Sequence, residues 1–378
     1  MRIPAALLHA EARSLGFEVV GATSAEPLPQ DWAALMAWLD AGRGDGLEYM
    51  SSRTEWRGDP RSLLPGALSV VTVAVAYGAE AAPDATVTEG RFGRVARYAW
   101  GLDYHDVVPP RLAALARHLE DRLGLPLRAR AACDVEPILE RGLAARAGIG
   151  VVGKNTNLLL PRGGSWWLLG ELLLDAEVEP VGGTADISCG TCRRCLDACP
   201  TDAFPTAYVL DAPRCISFLT IENRGPIPRD LRTRVGPWVF GCDVCQEVCP
   251  FNRFAPREAW PELSSSQGVG PRLDLVETLA IREDAAFRAR FRGTPLKHAK
   301  RRGLLRNAAV VARNVGASVA VPALLDRARD DAEGLVRGHA LWALAGLAPD
   351  RARALADAAR RRDPDPFVRE EAEAILAT

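Results

Sequence analysis

Histidine is scarce in this chain, with five in 378 residues: His9, His105, His118, His298 and His339. They show no paired spacing, so a metal centre bound by histidines is unsupported. DYHDVV (Asp103 to Val108) approaches the DxHxxG pattern that ligates cobalt through histidine in some enzymes, but Val108 stands where that pattern needs glycine. A phosphate loop is missing by one residue too. GIGVVGKN (Gly148 to Asn155) would match GxxxxGK[ST] if Asn155 were a hydroxyl residue able to hold magnesium. A nucleotide-binding site is therefore set aside, and what stays open is a glycine-rich turn whose amides approach a polar or phosphate-bearing cofactor.

The opening stretch MRIPAALLHAEARSLGFEVV has only a short apolar run before an amphipathic helix pattern. It is neither a secretory signal nor a membrane span, and it contains no twin-arginine leader. The protein is expected in the cytoplasm, where thiols stay reduced. Net charge is nearly absent, at 47 Lys and Arg against 48 Asp and Glu. The balance hides a local excess: between Arg288 and Arg306 stand Arg288, Arg290, Arg292, Lys297, Lys300, Arg301, Arg302 and Arg306 with no acid among them. Apolar residues at 48% and charged residues at 25% are those of a globular protein. The length allows two or three domains.

Cysteine is concentrated. Eight of nine cysteines lie between Cys189 and Cys249, as CxxCxxCxxxCP (Cys189 to Pro200), a lone Cys215, and CxxCxxxCP (Cys242 to Pro250). The first run has the bacterial ferredoxin spacing, in which three close thiolates hold one cubane and the fourth reaches to the other. Superposing the run from Cys192 on the run from Cys242 puts Val239 where the second half should repeat Cys189. Cys215 is the one cysteine near enough to replace the missing ligand. Two sets of four follow: Cys189, Cys192 and Cys195 with Cys249, and Cys199, Cys215 and Cys242 with Cys245. A zinc site uses four ligands, usually with histidine or wider gaps. A disulfide framework belongs to short secreted chains. Two [4Fe-4S] clusters are the better reading.

Before the cysteines, strands alternate with helices. LSVVTVAVAY (Leu68 to Tyr77) is a buried strand, followed by a polar loop over 79–92 and a helix from Val108 to Leu123 stopped by Gly124. A second strand, Leu127 to Asp134, leads to a helix from Glu136 to Gly148 started by Pro137. Residues 157–160 and 165–174 are expected to pair as a hairpin across Pro161–Gly164. Beyond Pro250 the composition turns to Ala, Leu, Arg and Asp. RNAAVVA from Arg306, RGHALWA from Arg337 and REEAEAI from Arg369 start 31 and 32 residues apart, a period that suggests a short helical solenoid of the HEAT type, a plain helical cap being the alternative. The fold class expected is α+β in three segments: a mixed α/β catalytic domain over 1–180, a ferredoxin-like two-cluster module over 181–260, and HEAT-like helices over 261–378.

Asp134, at the end of a predicted strand, is the candidate acid, since a buried carboxyl can have its pKa raised and hold a proton; the competing reading is a helix cap. Cys133 beside it is read as a small buried hydrophobe. The basic run near residue 300 is either a solvated helix face or a surface for a phosphate backbone, and RNA suits a site that must receive a single base.

With these residues assembled, the sequence resembles the epoxyqueuosine reductases, cobalamin-dependent iron–sulfur enzymes that complete queuosine in tRNA. The resemblance runs over nearly the whole chain and rests on RTEWRGDPRSLLPG (Arg53 to Gly66), RYAWGLDYH (Arg97 to His105), CDVEPILER (Cys133 to Arg141), AGIGVVGKNT (Ala147 to Thr156), the eight cysteines and SFLTIENRGPIP (Ser217 to Pro228). It implies a catalytic domain like that of reductive dehalogenases, with electrons passing from two clusters to cobalamin for reduction of an epoxide to an alkene at the tRNA wobble position. It implies Asp134 as proton donor, which displaces the capping reading. It places Arg57, Arg97, Asn157 and Ser217, with Asp134, against the corrin. Asn223, Arg224, Lys297, Lys300, Arg301, Arg302 and Arg306 are the expected tRNA contacts. The partners expected are tRNA and a low-potential electron donor, with no membrane and a monomeric chain. Two competing functions are a dehalogenase-like reductase of a small molecule and a non-catalytic electron carrier.

Overall fold

The computed structural model describes residues 2–77, 90–183, 185–255 and 260–377. The chain packs as two compact units, one of Met1–Ala81, Leu102–Ala212 and Val244–Ser264, the other of Ala82–Gly101, Pro213–Asp243 and Ser265–Thr378. The 181–260 segment thus contributes to both. The expected loop over 79–92 lies, up to residue 89, outside the described residues.

The first unit is built on an antiparallel sheet whose strands run in the order Val19–Ser24, Ser69–Ala76, Trp167–Leu174, Ala129–Ala132. Ser69–Ala76 reads SVVTVAVA and is buried over nearly its whole length, which fits a β-branched interior strand. Its partner Trp167–Leu174 pairs along its full length with that strand on one side and with Ala129–Ala132 on the other. The hairpin expected for 157–160 and 165–174 is therefore corrected. Leu158–Leu159 pairs with Val151–Val152 instead, and a bridge from Leu160 to Gly164, with Gly164 at φ 69°, closes a turn too tight for a ladder.

The long helix starts earlier than expected, spanning Tyr104–Leu123, because the Asp103 side chain caps it by accepting from the His105 N–H at 3.1 Å. Gly124 ends it at φ 63°. The next helix starts later, at Glu140–Arg146. Residues 133–138 are bends rather than helix, with Asp134 in the left-handed region at φ 58°. This turn sits where the strand Ala129–Ala132 runs out, and it aims the Asp134 side chain.

In the second unit Phe92–Val95 lies between Trp238–Phe240, parallel, and Arg272–Asp274, antiparallel. The carboxy-terminal helices span Lys300–Asn314, Val321–Asp330, Gly334–Leu347, Pro349–Arg362 and Pro366–Leu376. Lys300–Asn314 packs on Gly334–Leu347, which packs on Pro366–Leu376. Arginines lock the connecting loops. Arg337 Nη1 donates to the Asp331 carbonyl at 2.8 Å while its Nη2 reaches Asp363, and Arg369 Nη1 donates to the Asp363 carbonyl at 2.8 Å. Arg232 is 1% exposed and pairs with buried Glu371 at 2.8 Å. No helix among the described residues is long and apolar enough to cross a membrane.

Candidate functional site

The cysteine segments come first. None of the eight is joined in a disulfide, and all are partly exposed. In the first unit the short helices Arg194–Asp197 and Val244–Glu247 pack together, which carries Cys249 to the Cys189 loop. Burial and the nearness of Cys189 and Cys249 push the Cys195 thiol up, and burial, with Cys189 and Cys192 adding to it, pushes the Cys249 thiol up. These four sulfurs therefore share one neighbourhood. Four thiolates so placed repel one another, so a positive centre must join them for the arrangement to be favourable. An iron–sulfur cubane fits that donor set.

Amide donors face the sulfurs. Lys154 N–H donates to Cys189 Sγ at 3.4 Å, and Ala203 N–H to Cys199 Sγ at 3.3 Å. Lys154 Nζ also holds the Gly190 and Cys192 carbonyls at 2.6 and 2.9 Å. Asn155 Nδ2 reaches the Cys245 carbonyl at 3.4 Å, and Asn157 Nδ2 approaches Cys245 Sγ at 3.9 Å. The turn that falls one residue short of a phosphate loop is thus a brace for the cysteine loops. Sequence reasoning missed Lys154 and Asn155 in that role; the adjacent GKN was the available signal. Of the second expected set, Cys199 and Cys245 belong to the first unit, Cys215 and Cys242 to the second. Cys215 opens the helix Ile216–Ile221, and Cys242 follows Gly241, whose N–H donates to Thr220 Oγ1 at 2.9 Å.

Asp134 stands in a network of titratable groups within the first unit. Its Oδ2 accepts from the Tyr104 hydroxyl and lies 3.7 Å from His105 Nε2, and its side chain is 61% exposed. His105 Nδ1 is 2.7 Å from Oδ1 of the fully buried Asp103. Burial disfavours charge on His105, but hydrogen bonds to Asp103 and Asp134 outweigh it and raise the imidazole to about 9. Desolvation favours a proton on Asp134, yet the bonds from His105 and Tyr104, with Arg141 nearby, bring the carboxyl below its ordinary range. The expectation of a raised Asp134 pKa is corrected accordingly. At neutral pH the proton rests on His105, and Asp134 is the carboxylate that accepts from it.

Beneath the turn lies a second pair of acids. Glu140 Oε1 accepts from the Asp134 N–H at 2.5 Å. Burial, with the Asp134 charge adding to it, raises Glu140 to about 7. Glu171, on the strand Trp167–Leu174, is buried and raised well above the carboxylate range by burial and by Glu140. Cys133 is a buried thiol, as expected, whose Sγ donates to the Leu169 carbonyl at 3.1 Å and whose pKa burial pushes far up.

The expected corrin contacts divide between the units. Arg57, Asp134 and Asn157 lie in the first, Arg97 and Ser217 in the second. Arg57 is buried; its Nη2 donates to the Tyr49 carbonyl at 2.6 Å, while its Nε has no partner among the described residues. A buried donor of that kind fits a polar group on a bound cofactor. Arg97 is buried with its backbone N–H donating to Asp243 Oδ2 at 2.8 Å and its guanidinium 5.2 Å from the Trp100 ring.

The basic run is only partly a surface. Arg306 is 0% exposed, donating to the carbonyls of Leu219, Asn223 and Gly225 at 2.6 to 2.7 Å. Arg301 is buried against Asp331 at 2.7 Å. Both are corrected from tRNA contacts to interior ties, because acids and carbonyls distant in sequence come to meet them. Asn223 is occupied in its own turn, with Oδ1 accepting from Gly225 N–H and Nδ2 donating to the Pro226 carbonyl. Lys300, Arg302, Arg224, Arg288, Arg290 and Arg292 are exposed and Lys297 is half-buried.

Comparison with known proteins agrees with this geometry. A family model described as a 4Fe-4S double cluster binding domain matches residues 188–252, and one described as epoxyqueuosine reductase QueG, DUF1730, matches residues 57–135. The chain is 40% identical over 343 residues to the epoxyqueuosine reductase of Xanthomonas campestris, covering 90% of this chain and 95% of that one. It is also 40% identical to that of Pseudomonas aeruginosa, covering 88% and 91%. A solved structure of an epoxyqueuosine reductase with an epoxyqueuosine-modified tRNA-Tyr stem loop superposes at a TM-score of 0.89, with 30% identity and 98% of each chain covered. The Bacillus subtilis enzyme, in a structure whose catalytic aspartate loop is swung out of the active site, superposes at 0.87 with 30% identity, over 98% of this chain and 97% of that one.

Proposed function

The chain belongs to the epoxyqueuosine reductase family, and on that footing we propose that it reduces epoxyqueuosine in tRNA to queuosine. The observation that carries this reading is the coincidence in one chain of a double-cluster cysteine array with the Asp134 proton network. The overall change takes two electrons and two protons; two C–O bonds of the epoxide break, an alkene forms, and oxygen leaves as water. Cys189, Cys192, Cys195 and Cys249 hold one [4Fe-4S] cluster, and Cys199, Cys215, Cys242 and Cys245 the other, so the chain passes electrons singly from a low-potential donor.

Cobalamin, when bound, supplies the reduced metal that works on the epoxide. Arg57, Arg97, Asn157 and Ser217 would hold it, with Arg57 Nε offering a donor toward its polar periphery. The protein's own part is the proton. His105 Nε2 carries one of the two protons at neutral pH, Asp134 Oδ2 receives it and delivers it to the oxygen that departs, the second comes from water, and Asp103 keeps the imidazole charged and oriented. Lys297, Lys300, Arg302 and Arg224 are the cations left to meet the tRNA phosphates. The Asp331–Arg337 and Asp363–Arg369 ties, each six residues apart, support reading the closing helices as HEAT-like repeats. We place the protein in the cytoplasm, acting as a single chain.

The test is nucleoside mass spectrometry on epoxyqueuosine-containing tRNA incubated anaerobically with the cluster-loaded protein, cobalamin and a low-potential reductant. Loss of one oxygen that requires cobalamin is expected. No conversion despite both clusters and bound corrin would refute the reading in favour of a small-molecule reductase.

A further inference from the structure

Asp134 is held in a left-handed backbone conformation that a non-glycine residue enters only when its surroundings enforce it. Two contacts hold its carboxyl, from Tyr104 and His105, and one holds its backbone, the N–H bond to Glu140 Oε1. Glu140 in turn faces Glu171, and neither carboxylate oxygen of Glu171 finds another partner among the described residues. Two ionised carboxylates are acceptors only, so one proton must stay on the pair; Glu171, raised further, keeps it and donates to Glu140, and it is burial and the Asp134 charge that oppose ionisation of Glu140. The charged groups facing Glu140 are Asp134 from the turn, Glu171 from the sheet, Arg141 from its own helix and Arg57 from the helix Thr54–Gly58.

We propose that the Glu140–Glu171 pair is a protonation-controlled latch that positions the Asp134 turn, holding it while Glu140 is protonated and loosening it as Glu140 ionises. This rests on the reading of Asp134 as the residue that delivers the proton. The sign follows from linkage. Burial and the Asp134 charge raise Glu140 in the closed arrangement, whereas with the turn moved away and water admitted its pKa falls toward the ordinary carboxylate value. The closed form therefore binds the proton more tightly, and its advantage is lost as pH rises through about 7. Above that point an ionised Glu140 sits beside the Asp134 carboxylate and repels it. Glu140 and Glu171 are positioning residues, since neither needs to touch substrate.

Hydrogen exchange of the segment Cys133–Arg141, read by mass spectrometry on the full-length protein without substrate, tests the latch. Glu140→Gln keeps the acceptor oxygen, cannot ionise, and cancels the intrinsic pH dependence of exchange when compared with wild type at each pH. The wild-type to Glu140→Gln rate ratio is expected to gain about tenfold between pH 6 and pH 8.5 and to level off above that, because Glu140 already tends to ionise in the opened form below pH 7. A flat ratio overturns the proposal. Glu171→Gln, whose amide donates to Glu140 as the protonated acid does, is expected to keep the rise; losing it there would put the titrating proton on Glu171 and overturn the role given to Glu140. Turnover supplies the second readout, with Glu140→Gln retaining rate above pH 7 where wild type declines. A rise in the exchange ratio with no tRNA conversion by either protein would uphold the latch and count against the reductase reading alone.

Discussion

Replacing Arg306 by methionine separates an interior tie from an RNA contact. Arg306 is fully buried, has no carboxylate partner among the described residues, and is lowered to about 9 by burial with Arg224 and Arg302 adding to it. Its value to the fold lies in four oxygens: the carbonyls of Leu219, Asn223 and Gly225, and Asn307 Oδ1. Methionine fills most of the volume but leaves three carbonyls without donors. Stranding a buried acceptor costs about 1–3 kcal/mol, and the Asn223–Gly225 turn can relax toward water, so a total of about 3–5 kcal/mol is expected. At about 2–4 °C per kcal/mol for a unit of this size, the melting transition should fall by about 6–20 °C. Calorimetry measures it, beside filter binding of tRNA at several salt concentrations. The contrast is Lys300→Ala with Arg302→Ala on the exposed side, where stability should hold and the slope of log affinity against log salt should flatten by about 0.7–0.9 per lost phosphate contact. If Arg306→Met melted like wild type and lost RNA affinity, the reasoning would be refuted.

Two further predictions address chemistry. Asp134→Asn should keep both clusters and bound corrin but lose about 10²–10⁴ in turnover, the usual worth of a positioned general acid; in a Glu140→Gln background the remaining alkaline limb should sit near 9, where His105 loses its proton, and a limb unmoved by His105→Gln would contradict the relay. The same raised imidazole contributes stability that is complete below the ordinary histidine pKa and is lost as pH rises through about 9. Cluster pairing is read from iron content. Cys249→Ser alone, or with Cys189→Ser, should remove half of the iron, while Cys249→Ser with Cys215→Ser should remove nearly all; equal losses in the two double variants would break the assignment.

What could be read from sequence was whatever spacing alone enforces. The ferredoxin pattern grouped Cys249 with Cys189 because a cubane needs a fourth thiolate, and Cys249 lies near enough to Cys189 and Cys192 for their charges to raise its thiol. The strand at Ser69–Ala76 was legible because a β-branched apolar run has few other fates. The hairpin at 157–174 was not, since pairing depends on a partner distant in sequence, and Trp167–Leu174 found two of them. Asp134 was placed correctly at a strand end, but its protonation was misread. That property belongs to Tyr104 and His105, about 30 residues earlier in the chain.

Charge shows the same limit most sharply. The run from Arg288 to Arg306 has no acid in sequence, yet Arg301 meets Asp331, Arg290 meets Glu277 at 2.8 Å, and Arg302 lies 3.9 Å from Glu333. The acids were always there, one helix away. Stacked helices force this, because each buries one face against the next and the loop carbonyls at that seam need donors. Arginine supplies several donors on one planar group, so the repeated Arg337 and Arg369 clamp the loops at Asp331 and Asp363. Much of the positive charge that suggests a nucleic-acid surface is thereby consumed in assembling the helices. Lys300 and Arg302, both exposed, are therefore better tests of RNA contact than the buried Arg301 and Arg306 beside them.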